Sequence, residues 1–383
     1  MKPEYLPDFP VLLSELIAQP SVSSSSEKWN MSNAGVINKL AQWLESLGFV
    51  VELMTVSKAP EKLNLVATLG TGAGGLVLSG HTDTVPYDDS RWSSDPFTVT
   101  EKGGRWYGLG TCDMKGFFAV VIQAVREMGL SQLKQPLIVL ATADEETSMA
   151  GAKALAAAGK PKARYAVIGE PTGLRPVHMH KGVMMERIRL QGLSGHSSNP
   201  ALGHSALECM ADMINALRVF RSELQLHKNM AFQVATPTLN LGHICGGDNP
   251  NRICGACELQ FDLRPLPGMS LEALRGDILQ RLQPIAEANQ VSMRFERLFD
   301  GVPPFANEHT HGLVNVCERL TGHAPQAVAF ATEAPYLQAL GMDTLVMGPG
   351  SIDQAHQPDE YVDQSQVVEG IRVIKALISH YCL

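Results

Sequence analysis

The sequence predicts an α/β fold, a mostly parallel sheet with helices on both faces, into which a ferredoxin-like α+β domain is inserted. Three observations predict it. Strand-length apolar runs alternate with helical patterns through the first 179 residues, the signature of a sheet covered by helices. The order then becomes β-α-β-β-α-β, the split unit of ferredoxin-like domains. Acids and imidazoles also stand just past the ends of apolar runs: LVLSG-HTD (His81, Asp83), LIVLATAD-EE (Glu145, Glu146), YAVIG-E (Glu170) and TLVMGPGSIDQA-H (His356). Open parallel sheets collect ligands outside the carboxyl ends of their strands.

Taken in order, Leu12–Ile17 begins a helix, and 32–47 continues with Ala34, Ile37, Leu40, Ala41 and Leu44 at helical spacing before Gly48 closes it. Strands are expected at 50–54, 64–69 and 76–79. A helix follows that Asp113 is placed to cap, then a strand over 136–142, a helix over 149–158 and a strand over 165–169. Gly70, Gly72 and Gly75 satisfy a dinucleotide-binding pattern, but a strand follows where that pattern needs a helix, so a hairpin turn is expected. Residues 180–298 make the inserted domain, with strands near 181–191, 237–245, 253–263 and 291–298 and helices over 206–224 and 270–289. Residues 299–383 return to the first domain through a helix at 311–320, a strand at 344–347 and a closing helix at 364–382.

Composition narrows the function. The net charge is −8, and no basic run interleaved with aromatics suggests nucleic acid. The longest apolar segment, Gly116 to Val125, is too short to span a bilayer and is expected to be a core helix. Neither a nucleic-acid nor a membrane partner is expected. No basic-then-apolar leader opens the chain, so a reducing cytoplasm is the expected compartment and the seven cysteines are expected as free thiols. Cys254 and Cys257 form a CxxC with no second pair, which reads as ordinary strand cysteines.

The acid and imidazole positions carry the chemistry. His81 and Asp83 are two apart at a strand end and leave on one face, where Asp83 can fix the imidazole tautomer, as carboxylates do for metal-bound histidines. Asp113 can cap a helix and still bridge two cations. Of the adjacent Glu145 and Glu146, one can bind metal while the other moves protons. A pair of divalent metals is the expectation, because buried carboxylates without cations are costly.

The order HTDTVP, TCDMKG, ATADEET, GEPT, GHSSNPALG and QAHQPDEY resembles the co-catalytic zinc aminoacylase and carboxypeptidase family, and the likeness runs essentially end to end. The resemblance implies a zinc-peptidase-like catalytic domain and an inserted lid or dimerisation domain. It implies two zinc ions per subunit, with cobalt able to substitute, one held by His81, Asp113 and Glu170 and the other by Asp113, Glu146 and His356. A cis peptide is implied after Asp113, Glu145 as the general base, and His196 of GHSS as the oxyanion donor reaching a neighbouring subunit. Cys112, beside Asp113, is assigned to packing.

Asn251 and Arg264 match positions near the substrate carboxylate, and Gly350 lies in the matching GPGSIDQAHQPDEY stretch. By the same resemblance the expected partner is a small N-acyl amino acid; the stretches PTLNLGHICGGDNPNR and FATEAPYL resemble those of family members acting on N2-acetyl-L-ornithine in arginine biosynthesis, which makes that the implied substrate. Desuccinylation of succinyl-diaminopimelate, hydrolysis of other N-acyl amino acids or dipeptides, and an inactive ligand-binding relative are the alternatives. Intact Glu145 and metal positions weigh against the last. Glu333 has two readings, a partner for the substrate ammonium or a helix cap.

Overall fold

The structure, a computed structural model, describes residues 6–130, 132–307 and 312–383. Its elements, in chain order, begin with α1 (Phe9–Ile17), α2 (Ala34–Ser46), β1 (Val50–Lys58), β2 (Glu61–Leu69), β3 (Leu76–His81), β4 (Thr100–Lys102) and β5 (Arg105–Tyr107). Next come α3 (Lys115–Met128), β6 (Leu137–Thr142), α4 (Ala150–Ala158), β7 (Tyr165–Pro171) and β8 (Val177–His180). The inserted block holds β9 (Met184–Gln191), α5 (Ala206–Leu224), β10 (Thr238–Gly246), β11 (Ala256–Arg264), α6 (Leu271–Ala288), β12 (Ser292–Arg297) and β13 (Phe305–Ala306). The chain closes with α7 (Gly312–Thr321), β14 (Gln326–Val328), α8 (Ala334–Ala339), β15 (Asp343–Gly348), β16 (Tyr361–Asp363) and α9 (Gln364–Cys382). The helix expected from His311 starts at Gly312 among the described residues; His311 lies outside them.

Two compact units result. The first runs to His178 and resumes at Asn307–Gln326 and Thr332–Leu383; the second is Met179–Ala306 with Ala327–Ala331. In the first unit the strands run β1-β2-β6-β3-β7-β15, with β8 beside β15. The four from β6 to β15 are mutually parallel, with His81 opposite Thr142 and Ser79 opposite Ile168. Their carboxyl ends therefore share one edge. Apolar faces of α1, α2, α3 and α9 pack on this sheet in a single core that includes Leu12, Leu40, Phe118 and Leu377. In α3 every residue from Lys115 to Val125 is buried. Its lysine is accommodated because the ammonium reaches the carbonyls of Leu16 and Gln19 (3.2 Å each) at the end of α1.

The second unit has its own core around α5 and α6. Its sheet order, β10-β11-β9-β12, is antiparallel throughout, as the split β-α-β-β-α-β unit requires.

Three expectations need correction. β2 and β3 lie on either side of β6, so the glycines at 70, 72 and 75 turn a crossover, not a hairpin. Asp113 is not a helix cap: α3 begins at Lys115 with Met114 at the cap position. Cys254 precedes β11 instead of lying on it, and its thiol, like that of Cys257, is buried in the second unit's core. All seven cysteines are free thiols.

Candidate metal centre

Because four parallel strands end at one edge, residues far apart in sequence meet there. His81 is the last residue of β3, Glu145 and Glu146 follow β6, Glu170 is the penultimate residue of β7 and His356 follows β15. Asp113 enters from the turn before α3, where the Asp113–Met114 peptide is cis, as the resemblance implies.

The two oxygens of Asp113 divide between the two imidazoles. Oδ1 lies 3.1 Å from Nε2 of His81 and Oδ2 lies 3.5 Å from Nε2 of His356. Glu170 Oε1 stands 3.8 Å from the same His81 nitrogen. Glu146 Oε2 stands 3.0 Å from His356 Nε2. His81, Asp113 and Glu146 each offer a ligand atom within 4.8 Å of the others. His81, Asp83, Asp113, Glu145 and Glu170 are buried, whereas His356 reaches solvent with a positive φ of 61°.

Asp83 sits beneath this group with a different job from the one expected. The Nδ1–H of His81 donates to the backbone carbonyl of Asp83 (3.0 Å), while the nearest carboxylate oxygen is 3.7 Å away. The Asp83 carboxylate instead accepts from the N–H groups of Glu145 (3.1 Å) and Glu146 (3.0 Å). Asp144, which precedes them in a left-handed conformation (φ 56°), is turned largely away from solvent. It pairs with buried Lys62 (2.7 Å) and accepts from the Ser23 hydroxyl (2.9 Å). Sequence reasoning missed Lys62, whose partner is remote in the chain.

Electrostatics at the site reflect six carboxylates (Asp83, Asp113, Glu145, Glu146, Glu170, Glu333) around two imidazoles. Burial, reinforced by neighbouring acids, pushes Glu145 well above the ordinary carboxylate range and Glu170 up to about 8. Burial opposes the protonation of His81, but its bond to Asp113 and the charges of Glu170 and Glu145 lift it well above its usual value. Bonds to Asp113 and Glu146 raise His356 to about 10. Asp113 is held below its ordinary value: burial would raise it, but the bonds to His356 and His81 prevail.

Imidazole nitrogens and carboxylate oxygens without a thiolate suit a borderline or hard divalent cation. Cys112 does not join them; its Sγ donates to the carbonyl of Ser351 (3.4 Å), and burial raises its pKa. The donor set fits the metal pair that the sequence implied.

Glu333 belongs to the same neighbourhood. It occupies the cap position of α8 but makes no capping hydrogen bond, which removes the cap reading. Its carboxyl is buried, bonded to Thr142 and close enough to His81 and Asp83 to feel their charges, and burial raises its pKa to about 7. Oε1 has no hydrogen-bond partner.

Gly350 (φ 93°) uses its N–H on the Gln366 side chain (2.6 Å) and its carbonyl on the N–H of Gly173 (2.6 Å). A Cβ there would lie 2.4 Å from Cys112 Sγ, so the absence of a side chain serves packing beside Asp113.

His196, Asn251 and Arg264 lie on the second unit. The Ser197 N–H donates to the Asn251 carbonyl (3.1 Å), which ties two of the expected segments together. Nδ1 of His196 lies 2.7 Å from the Ser198 hydroxyl and 3.2 Å from the Ser198 backbone nitrogen. Arg264 at the end of β11 holds Asp262 through Nε (2.9 Å).

The fold and site have counterparts in known proteins. The profile of peptidase family M20/M25/M40 matches residues 77–380. An acetylornithine deacetylase of Proteus mirabilis is 48% identical over 379 residues, covering 99% of this chain and 98% of its own. Among solved structures, the aminopeptidase PepT of Bacillus cereus superposes with a TM-score of 0.75 at 20% identity, covering 97% of both chains. A dinuclear metal-binding peptidase of Bacillus subtilis from the M20 family does so with a TM-score of 0.66 at 14% identity, again covering 97% of both chains. Matched by the family profile over residues 77–380 and by a relative 48% identical across almost its whole length, the chain belongs to peptidase family M20/M25/M40, a family of metal-dependent hydrolases.

Proposed function

We propose that the protein deacetylates N2-acetyl-L-ornithine to L-ornithine and acetate, as a dinuclear metal-dependent amide hydrolase serving arginine biosynthesis. The observation that carries the reading is the division of Asp113 between His81 (3.1 Å) and His356 (3.5 Å), each with a second acid beside it. The Proteus mirabilis relative, an acetylornithine deacetylase, supports the substrate.

His81, Asp113 and Glu170 would hold one zinc ion and Asp113, Glu146 and His356 the other, with cobalt able to replace zinc. When bound, the ions supply Lewis acidity, lowering the pKa of the attacking water and polarising the scissile carbonyl. Glu145 removes a proton from that water as its oxygen bonds to the acetyl carbon, then delivers the proton to the leaving amine as the C–N bond breaks. His196 donates to the developing oxyanion. It acts from a neighbouring subunit of a homodimer, and the second unit is the lid and dimerisation domain. Arg264 and Asn251 hold the substrate carboxylate, and a guanidinium suits that task through two parallel N–H bonds. Glu333, buried with an unpartnered oxygen, reads the terminal ammonium. No described helix is long and apolar enough to cross a membrane, and the setting proposed is the cytoplasm.

The test compares acetylornithine, succinyl-diaminopimelate and acetylmethionine with metal-reconstituted enzyme. Acetylornithine should have the highest kcat/KM. A higher value for either competitor overturns the substrate assignment.

A further inference from the structure

Glu360 is an acid that the mechanism does not use. It stands four residues after His356, immediately before β16, and its side chain is buried. Its Oε1 accepts from the N–H groups of Cys112 (2.8 Å), Asp113 (2.9 Å) and Gly110 (3.1 Å), and Oε2 accepts from Gly110 (3.0 Å). Its own carbonyl accepts from Gly108 N–H (2.9 Å), where the β5–β16 ladder begins with Tyr361 opposite Tyr107. The neighbouring Asp359 is pinned as well, by the N–H and hydroxyl of Ser93 (2.7 Å each).

Converging backbone N–H groups make a concave anion site, and here the chain fills it with its own carboxylate. Without Glu360 three backbone donors would lack a partner, which is costly where water cannot replace it. The bonds span the gap between the segment carrying His356 and the turn carrying Asp113, the two residues whose side chains approach within 3.5 Å.

We infer that Glu360 is a positioning residue for the metal centre, fixing the Gly110–Asp113 turn so that the Asp113 oxygens face His81 and His356 at once. The inference rests on the two-ion reading of the site. It predicts an order among variants that a charge effect would not produce. Glu360→Gln keeps an oxygen for Cys112 and Asp113 and sets an amide against Gly110 only. Glu360→Asp keeps the charge but withdraws the carboxylate by one methylene from all three donors.

The experiment measures the affinities of both zinc ions by chelator competition in wild type, Glu360→Gln and Glu360→Asp. Folding is checked by circular dichroism and by melting of the metal-free proteins. Glu360→Asp should lose about 10–100-fold in affinity for at least one ion, the scale for residues that support metal ligands, with Glu360→Gln losing less. Wild-type affinity for both ions in folded Glu360→Asp overturns the inference, as does a larger loss in Glu360→Gln. If Glu360→Asp does not fold, Glu360→Gln decides: weakened binding of one ion supports positioning, and unchanged binding of both refutes it. A wild type that binds fewer than two ions overturns the two-ion reading itself, a result distinct from either variant outcome.

Discussion

The carboxylate of Asp83 accepts the backbone N–H of Glu146 at 3.0 Å, and the same carboxylate takes the N–H of Glu145 at 3.1 Å. A residue two places beyond one imidazole therefore fixes the turn that carries the proposed base and a proposed ligand.

Asp83→Asn follows directly. An amide offers one acceptor oxygen and turns an N–H toward the other donor, so the Glu145–Glu146 turn loses one of its two anchors. Turnover should fall by about 10–100-fold, the scale seen when groups supporting ligands are changed. Steady-state kinetics with metal content measured in parallel gives the answer, and wild-type kcat would remove Asp83 from the positioning role.

Glu333→Gln separates substrate recognition from stability. Since Glu333 makes no capping bond to α8, the variant should melt no lower than wild type. Acetylornithine turnover should fall much more than acetylmethionine turnover, because only the former carries a terminal ammonium. Equal losses on the two substrates would leave the ammonium without its proposed partner.

His196 is testable by complementation. His196→Ala should be inactive with metals retained, and so should Glu145→Gln. After subunit exchange, mixed dimers would hold one site with both groups intact, and activity should reappear. An exchanged mixture that stays inactive rules out action across a dimer.

His180 gives the second unit a pH dependence of its own. Its ring is fully buried against Phe305, Nδ1–H donates to the Lys181 carbonyl (2.8 Å), and burial lowers its pKa to about 4. Between the unfolded value near ~6.5 and 4, the unfolded chain binds a proton that the folded chain excludes, so stability falls as pH falls through that window. The full loss is on the order of 3 kcal/mol. In metal-free protein, the stability difference between wild type and His180→Gln should shift against wild type from pH 7 to pH 4 by an amount of this order. A difference independent of pH would mean that His180 is not held neutral.

Much of this site was legible because a parallel sheet reports itself in sequence. An apolar run followed by His, Glu or Asp marks a strand end, and four such ends, at His81, Glu145–Glu146, Glu170 and His356, share an edge whenever the strands are parallel. Asp113 as a helix cap was misread, since TCDMKG does not reveal that the first helical residue is Lys115. Lys62 and Glu360 were illegible for another reason. Their partners, Asp144 and the Gly110–Asp113 amides, are remote in the chain, and a charged side chain gives no sign of burial when its partner is not a sequence neighbour. Cys254 was misplaced because the alternation of β11 continues by chance into the preceding loop.

The most direct test of the account measures bound zinc and kcat together in Glu145→Gln. Asp113, His81, Glu170, Glu146 and His356 are assigned to the ions and Glu145 to the proton, so the variant should bind two ions per chain while kcat falls by at least ~10²-fold, the scale of general acid–base catalysis. Loss of an ion would move Glu145 into the ligand set, and retained turnover would remove it from the chemistry; either result contradicts the division of labour proposed for the site.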